Sequence, residues 1–154
     1  MKVVIIYESC FGNTLEIAES LWSALRKDTD VRLLPASEAQ VHDLRGIDML
    51  FIGCPTREHT IAPATRALLE QLPTAGLRDV RVAVFDTRYR RPRWLSGSAA
   101  EGVARHVRAL AGHLVSEPES FFVLDRQGPL AEGERERAAA WAAELVLADE
   151  RMAA

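Results

Sequence analysis

Five short apolar runs recur along the chain: Val3 to Tyr7, Val31 to Leu34, Met49 to Ile52, Val82 to Phe85 and Phe121 to Leu124. Each is of strand length, and several lack the alternation of a strand that shows one face to water. Such runs are the pattern of strands buried on both faces of a parallel sheet. Helical patterns fill the intervals. Thr14 to Arg26 sets Ile17, Leu21, Trp22 and Leu25 on one face. Thr65 to Leu72 carries Leu68, Leu69 and Leu72, and Ser98 to Leu110 carries Val103, Val107 and Leu110. Gly133 to Leu147, rich in Ala, Glu and Arg, has Trp141, Leu145 and Val146 as anchors. Only Ser37 to Leu44 is weakly periodic, and the terminal ADERMAA is expected to fray. Strands alternating with helices predict an α/β domain, a three-layer, doubly wound, five-stranded parallel sheet with helices on both faces.

At 154 residues, 48% hydrophobic, the chain suits a single domain over 1–154. Nineteen Lys and Arg against 22 Asp and Glu give a formal charge of -3, which points to neither nucleic-acid binding nor a disordered acidic tail. The opening MKVVIIYES is too short for the apolar core of a signal peptide, and no apolar stretch is of membrane-spanning length. A soluble cytoplasmic protein without membrane contact is expected. Cys10 and Cys54 are too few for a disulfide scaffold, lack zinc-site spacing, and are read as reduced thiols.

Doubly wound sheets bind ligands in the crevice at the carboxyl ends of their strands. The loop after the first run, Ser9-Cys10-Phe11-Gly12-Asn13-Thr14, sets two hydroxyls and several backbone N–H groups at a helix N-terminus, a place suited to an anion. No basic residue lies in it. Ile5, Ile6, Tyr7, Ser9, Gly12, Thr14, Ala18 and Leu21 together match the phosphate-binding signature of the flavodoxins. The chain resembles that family, in its short-chain form because no long insertion follows the fifth run. The resemblance implies that residues 9–14 hold the phosphate of FMN with neutral donors. Phe11 departs from it: many flavodoxins have a hydroxyl residue there, whereas the WrbA-like quinone reductases carry an aromatic.

Cys10-Phe11-Gly12-Asn13 also resembles the start of the low-molecular-weight tyrosine phosphatase loop, which has an Arg six residues after its nucleophile. Here that position is Glu16, whose carboxylate would repel a phosphate dianion, so this reading fails.

The flavodoxin resemblance assigns the flavin ring to two further loops. Gly53 to Pro63 contains Pro55, Thr56 and Arg57, a run also found in the quinone reductases; Thr56 would bond the ring or ribityl chain, with Arg57, Glu58 and His59 at its border. His59 is either a proton relay or an exposed bystander. After the fourth run come Asp86, Thr87, Arg88 and Tyr89, then Trp94, with Arg90, Arg91 and Arg93 interspersed. Trp94 aligns with the family's stacking position, and Tyr89 is the alternative. Positive side chains here would stabilise an anionic reduced flavin, or receive an anionic substrate or acidic partner, or be merely solvated. Gly128-Pro129 is read as a turn into the last helix. Cys10 and Cys54 follow strands that the resemblance makes neighbours, so they are either a redox-reversible pair or two small buried hydrophobes.

Three functions follow. One is an FMN protein that passes electrons between partner proteins. Another is an FMN oxidoreductase taking hydride from NAD(P)H for a quinone-like acceptor, favoured by Phe11 and the arginines. The last is an interaction module that keeps the fold without the cofactor. In the FMN readings no side chain acts as nucleophile.

Overall fold

The computed structural model describes residues 1–56, 60–92 and 97–154. Its elements run β1 (Lys2–Tyr7), α1 (Asn13–Leu25), β2 (Asp30–Pro35), a 3-10 turn (Val41–Leu44), β3 (Met49–Pro55), α2 (Pro63–Gln71), β4 (Arg81–Tyr89), α3 (Ala99–Ala109), β5 (His113–Leu114), β6 (Glu119–Val123) and α4 (Glu134–Ala153). The strand order is β2-β1-β3-β4, with β5 and β6 end to end along the outer side of β4, and all these pairings are parallel. After β2 the chain returns past β1 to begin β3, so the order reverses between β1 and β3 and their carboxyl ends open a crevice.

The unalternating runs are explained by two cores. Val3, Ile5, Met49, Phe51 and Phe85 point to the face covered by α1 and α4, where they meet Ile17, Leu21, Ala138 and Ala142. Their neighbours Val4, Ile6, Leu50, Ile52, Val82 and Val84 point to the opposite face, under Leu68 and Leu69 of α2 and Val103 and Val107 of α3. Trp141 stands edge-on to Phe51 and Phe121, each with centroids 5.7 Å away, and to Phe85 at 6.1 Å. Gly53 is required by this packing, since a Cβ there would lie 2.0 Å from Phe85 Cζ.

Three expectations change. The fourth strand is longer than Val82 to Phe85: Asp86 to Tyr89 lie within β4, because β6 pairs with them on one side and Thr56 N–H donates to Thr87 O at 2.9 Å on the other. Pairing by two neighbours overrides a polar composition. The fifth strand is broken. Arg81 faces His113 but Phe85 faces Glu119, so two extra residues are absorbed near Pro118, which has no N–H for a ladder. Leu124 falls outside the strand and is 68% exposed. Finally, the last helix runs past Leu147 through ADERMAA to Ala153 and buries Asp149 on the way.

The edge strand β6 is covered by its own surroundings. Glu134 accepts from Phe122 N–H at 2.8 Å, Arg137 donates to Ser120 O, and Ala131 N–H donates to Phe122 O at 2.8 Å. These bonds occupy groups that an open edge would offer to another chain.

Candidate functional site

Where β1 ends, Glu8 turns sideways: its N–H donates to Gly53 O, and its carboxylate accepts from Thr65 N–H at 2.7 Å and Thr65 Oγ1 at 2.9 Å, fixing the start of α2. The chain then bends through Ser9, whose Oγ accepts the Gly12 N–H at 3.0 Å. Gly12 takes a left-handed conformation, φ +91°, as N-cap of α1. Open space surrounds it, so the backbone conformation and not crowding calls for glycine. The first intrahelical bond runs from Glu16 N–H to Gly12 O, and the N–H groups of Asn13, Thr14 and Leu15 have no intrahelical acceptor. Glu16 itself faces α4, where Arg135 Nη2 lies 2.7 Å from its Oε2.

This turn forms one wall of a cavity of about 300 Å³. Ser9, Cys10, Phe11, Asn13 and Thr14 come from the loop and the start of α1, Pro55 and Thr56 from the end of β3, and Thr87, Arg88 and Tyr89 from β4. Gly12 lies behind it, facing a separate depression beside Leu15 and Pro35. Arg57 and Trp94, with Glu58, His59 and Arg93, lie outside the described residues. Two lining residues escaped the sequence, Val123 and Arg126. No carboxylate lines the cavity among the described residues. Phe11, 45% exposed, stands at the rim.

Beneath the cavity a buried network joins the strand ends to α3. Asp86 is fully buried, and its Oδ2 accepts from Thr56 Oγ1 at 2.9 Å, Ser98 Oγ at 2.7 Å and Ala100 N–H at 3.1 Å. Thr56 Oγ1 in turn accepts from Ala99 N–H at 2.9 Å. The hydrogen of the Thr56 hydroxyl is thus engaged with Asp86, and Asp86 is a support beneath the wall. Thr14 is buried with its Oγ1 2.8 Å from Thr87 Oγ1; either hydroxyl can donate, so the pair joins α1 to β4 and one of its two hydrogens stays outside that bond, at the cavity wall.

The arginines divide. Arg88 is buried, its Nε donating to Ser120 Oγ at 2.8 Å and its Nη1 to Arg91 O at 2.7 Å, with Asp86 Oδ1 3.9 Å away. Arg90 lies over the Phe122 ring at 4.7 Å and Arg91 over Tyr89 at 5.1 Å. Arg88 is thus withdrawn from solvent, whereas Arg90 and Arg91 are exposed, with their guanidinium groups over rings. The cysteines also divide. Neither is in a disulfide; Cys54 is buried in the α2–α3 core, whereas Cys10 is exposed, contrary to the expectation of two buried thiols. Burial first, and then the nearby Asp86, push the Cys54 thiol far up, so it stays protonated.

No helix among the described residues is long and apolar enough to cross a membrane. A parallel sheet in the order 2-1-3-4-5, two helices on each face and a cavity over the β1–α1 turn define the flavodoxin fold, which this chain has. Oxidised flavodoxin 2 from Bacillus cereus is 22% identical and superposes with a TM-score of 0.77, covering 95% of this chain and 98% of its own. Flavodoxin 1 from Bacillus cereus is 18% identical at the same TM-score of 0.77, over 95% of this chain and 97% of its own. Rubredoxin oxygen:oxidoreductase from Desulfovibrio gigas, 18% identical with a TM-score of 0.77, aligns with 99% of this chain but only 37% of its own. No protein-family model matches the sequence, and no curated protein matches it.

Proposed function

We propose that the chain binds FMN non-covalently in the cavity over β1, β3 and β4 and works as an electron-transfer flavoprotein. The observation that carries this is the Ser9–Thr14 turn, which sets the N-terminus of α1 against a cavity of ligand size in a flavodoxin fold. The described residues fit the nucleotide: N–H donors and the Ser9 hydroxyl at one end, and Phe11, Pro55, Tyr89 and Val123 as apolar surface elsewhere. Ser9 Oγ receives the Gly12 N–H and keeps its own hydrogen for a phosphate oxygen. FMN, when bound, supplies reversible electron transfer. The chain's part is to hold the phosphate, cover the ring and keep carboxylates away from it. Electrons pass to and from a redox partner protein.

Titration of ligand-free protein with FMN tests the reading. Saturable quenching of flavin fluorescence with a one-to-one endpoint is expected, and no binding at micromolar FMN refutes it. A second reading, an NAD(P)H-dependent FMN oxidoreductase of quinone-reductase type, is favoured by the carboxylate-free cavity wall and by Phe11 at its rim. Steady NADPH oxidation with a quinone and no separate reductase would select it.

A further inference from the structure

Residues 122–131 form a tight antiparallel excursion beyond β6. Val123 bridges to Leu130, Leu124 N–H donates to Pro129 O at 2.9 Å, and Gly128 N–H donates to Asp125 O at 2.9 Å, closing a four-residue turn. The turn is seated on the start of α1, with so little room that a Cβ on Gly128 would lie 2.5 Å from Asn13 Oδ1. Arg126 occupies the tip and lines the same cavity as Ser9 and Asn13. No hydrogen bond or ion pair engages its guanidinium among the described residues, and Asp125 Oδ1 is occupied by the Arg126 N–H at 2.8 Å. Arg88, the other guanidinium in the wall, is bound to Ser120 and Arg91.

We propose that Arg126 is the cationic ligand of the bound nucleotide's phosphate, closing over the first loop from the opposite side. The inference rests on the FMN reading and adds to it a charge that the loop itself lacks. Neutral donors and a helix terminus compensate only part of a phosphate dianion. A guanidinium held on a short, hydrogen-bonded turn can pair with two phosphate oxygens at once, with less ordering than a long mobile loop would need. Contact between the turn and Asn13 assigns Arg126 to the phosphate end and not to the ring.

The test compares FMN with riboflavin, which lacks the phosphate. Both are titrated by flavin fluorescence into the wild type, Arg126→Gln and Arg126→Lys, at low and raised salt, with circular dichroism as the check on folding. Arg126→Gln is expected to weaken FMN roughly tenfold or more. It should leave riboflavin unchanged and flatten the salt dependence of FMN binding; Arg126→Lys should recover part of the loss. Equal losses for both ligands, or no loss in folded Arg126→Gln, overturn the role of Arg126 while FMN binding stands. A wild type that binds neither ligand overturns the FMN reading and this inference with it.

Discussion

The Asp86 network sets how firmly the cavity floor is held, and replacing that carboxylate gives a quantitative test. Asp86→Ala removes the acceptor of three hydrogen bonds, from Thr56 Oγ1, Ser98 Oγ and Ala100 N–H, at a fully buried position. It also leaves the buried Arg88 guanidinium without the carboxylate 3.9 Å away. A buried donor left unmet costs about 1–3 kcal/mol, and removing one partner of a buried charge pair costs about 3–5 kcal/mol. The hydroxyls of Thr56 and Ser98 can rotate toward other acceptors, so the contributions do not simply add. A loss of about 3–5 kcal/mol is expected, or at least about 6 °C in Tm for a domain of this size. Asp86→Asn is the control. Its carbonyl can accept the same three bonds from the Oδ2 position, but its neutral amide replaces the Oδ1 that faces Arg88, so it shares with Asp86→Ala the loss of that charge and should be more stable than Asp86→Ala by the hydrogen-bond part alone, about 1–3 kcal/mol. Urea unfolding followed by tryptophan fluorescence measures both, read from the midpoint at unchanged m-value. A loss below about 1 kcal/mol in Asp86→Ala, or equal losses in the two variants, would refute the reasoning.

Three further outcomes are expected. Gly53→Ala places a Cβ 2.0 Å from Phe85 Cζ, so it should destabilise by about 1–3 kcal/mol or more, and Phe85→Leu in the same chain should restore part of that; an unrelieved double variant would contradict the packing. With a thiol reagent, Cys10 should react in the native protein and Cys54 only on unfolding, and FMN should slow Cys10; two fast native thiols would contradict the burial of Cys54. Burial works against the charge on Glu134, but hydrogen bonds from Arg137 and the Phe122 N–H hold its pKa below the usual carboxylate range. A depressed folded pKa contributes stability above the unfolded value, about 4.3, that is lost as pH falls through the folded one, so the gap between wild type and Glu134→Gln should shrink on acidification. A constant gap would refute it.

The strands were legible because both faces of the sheet are buried and the chain must be apolar at successive positions. The same rule hid the end of β4. Asp86 and Arg88 are polar yet buried, and much of what satisfies them, Thr56, Ser98 and Ser120, is distant in sequence. The first loop was legible because its groups are neighbours in sequence. Arg126 was not, since its place in the same cavity depends on a turn more than a hundred residues later, whose Gly128 folds back against Asn13. The signal available is Asp125-Arg126-Gln127-Gly128-Pro129, a turn sequence directly after a strand end, which by itself says that the chain turns before the last helix and not what the turn packs against.

The hydroxyls show how a motif can be recognised while its division of labour is hidden. Thr14 has the right type and spacing for an anion site, but its oxygen lies 2.8 Å from Thr87 Oγ1 and secures α1 to β4. Thr56 spends its hydrogen on Asp86. Ser9 keeps its hydrogen, because it accepts from Gly12 and shapes the turn with its lone pair, and the Thr14–Thr87 pair uses one of its two. Backbone N–H groups therefore carry most of the donor capacity at this loop, and the side chains fix where those groups point. Thr14→Val should accordingly lower stability by about 1 kcal/mol or more through the Thr87 hydroxyl it strands. It should weaken FMN and riboflavin to similar extents, and Thr14→Val with Thr87→Val should recover part of the stability. Selective loss of FMN in Thr14→Val would instead return that hydroxyl to the phosphate.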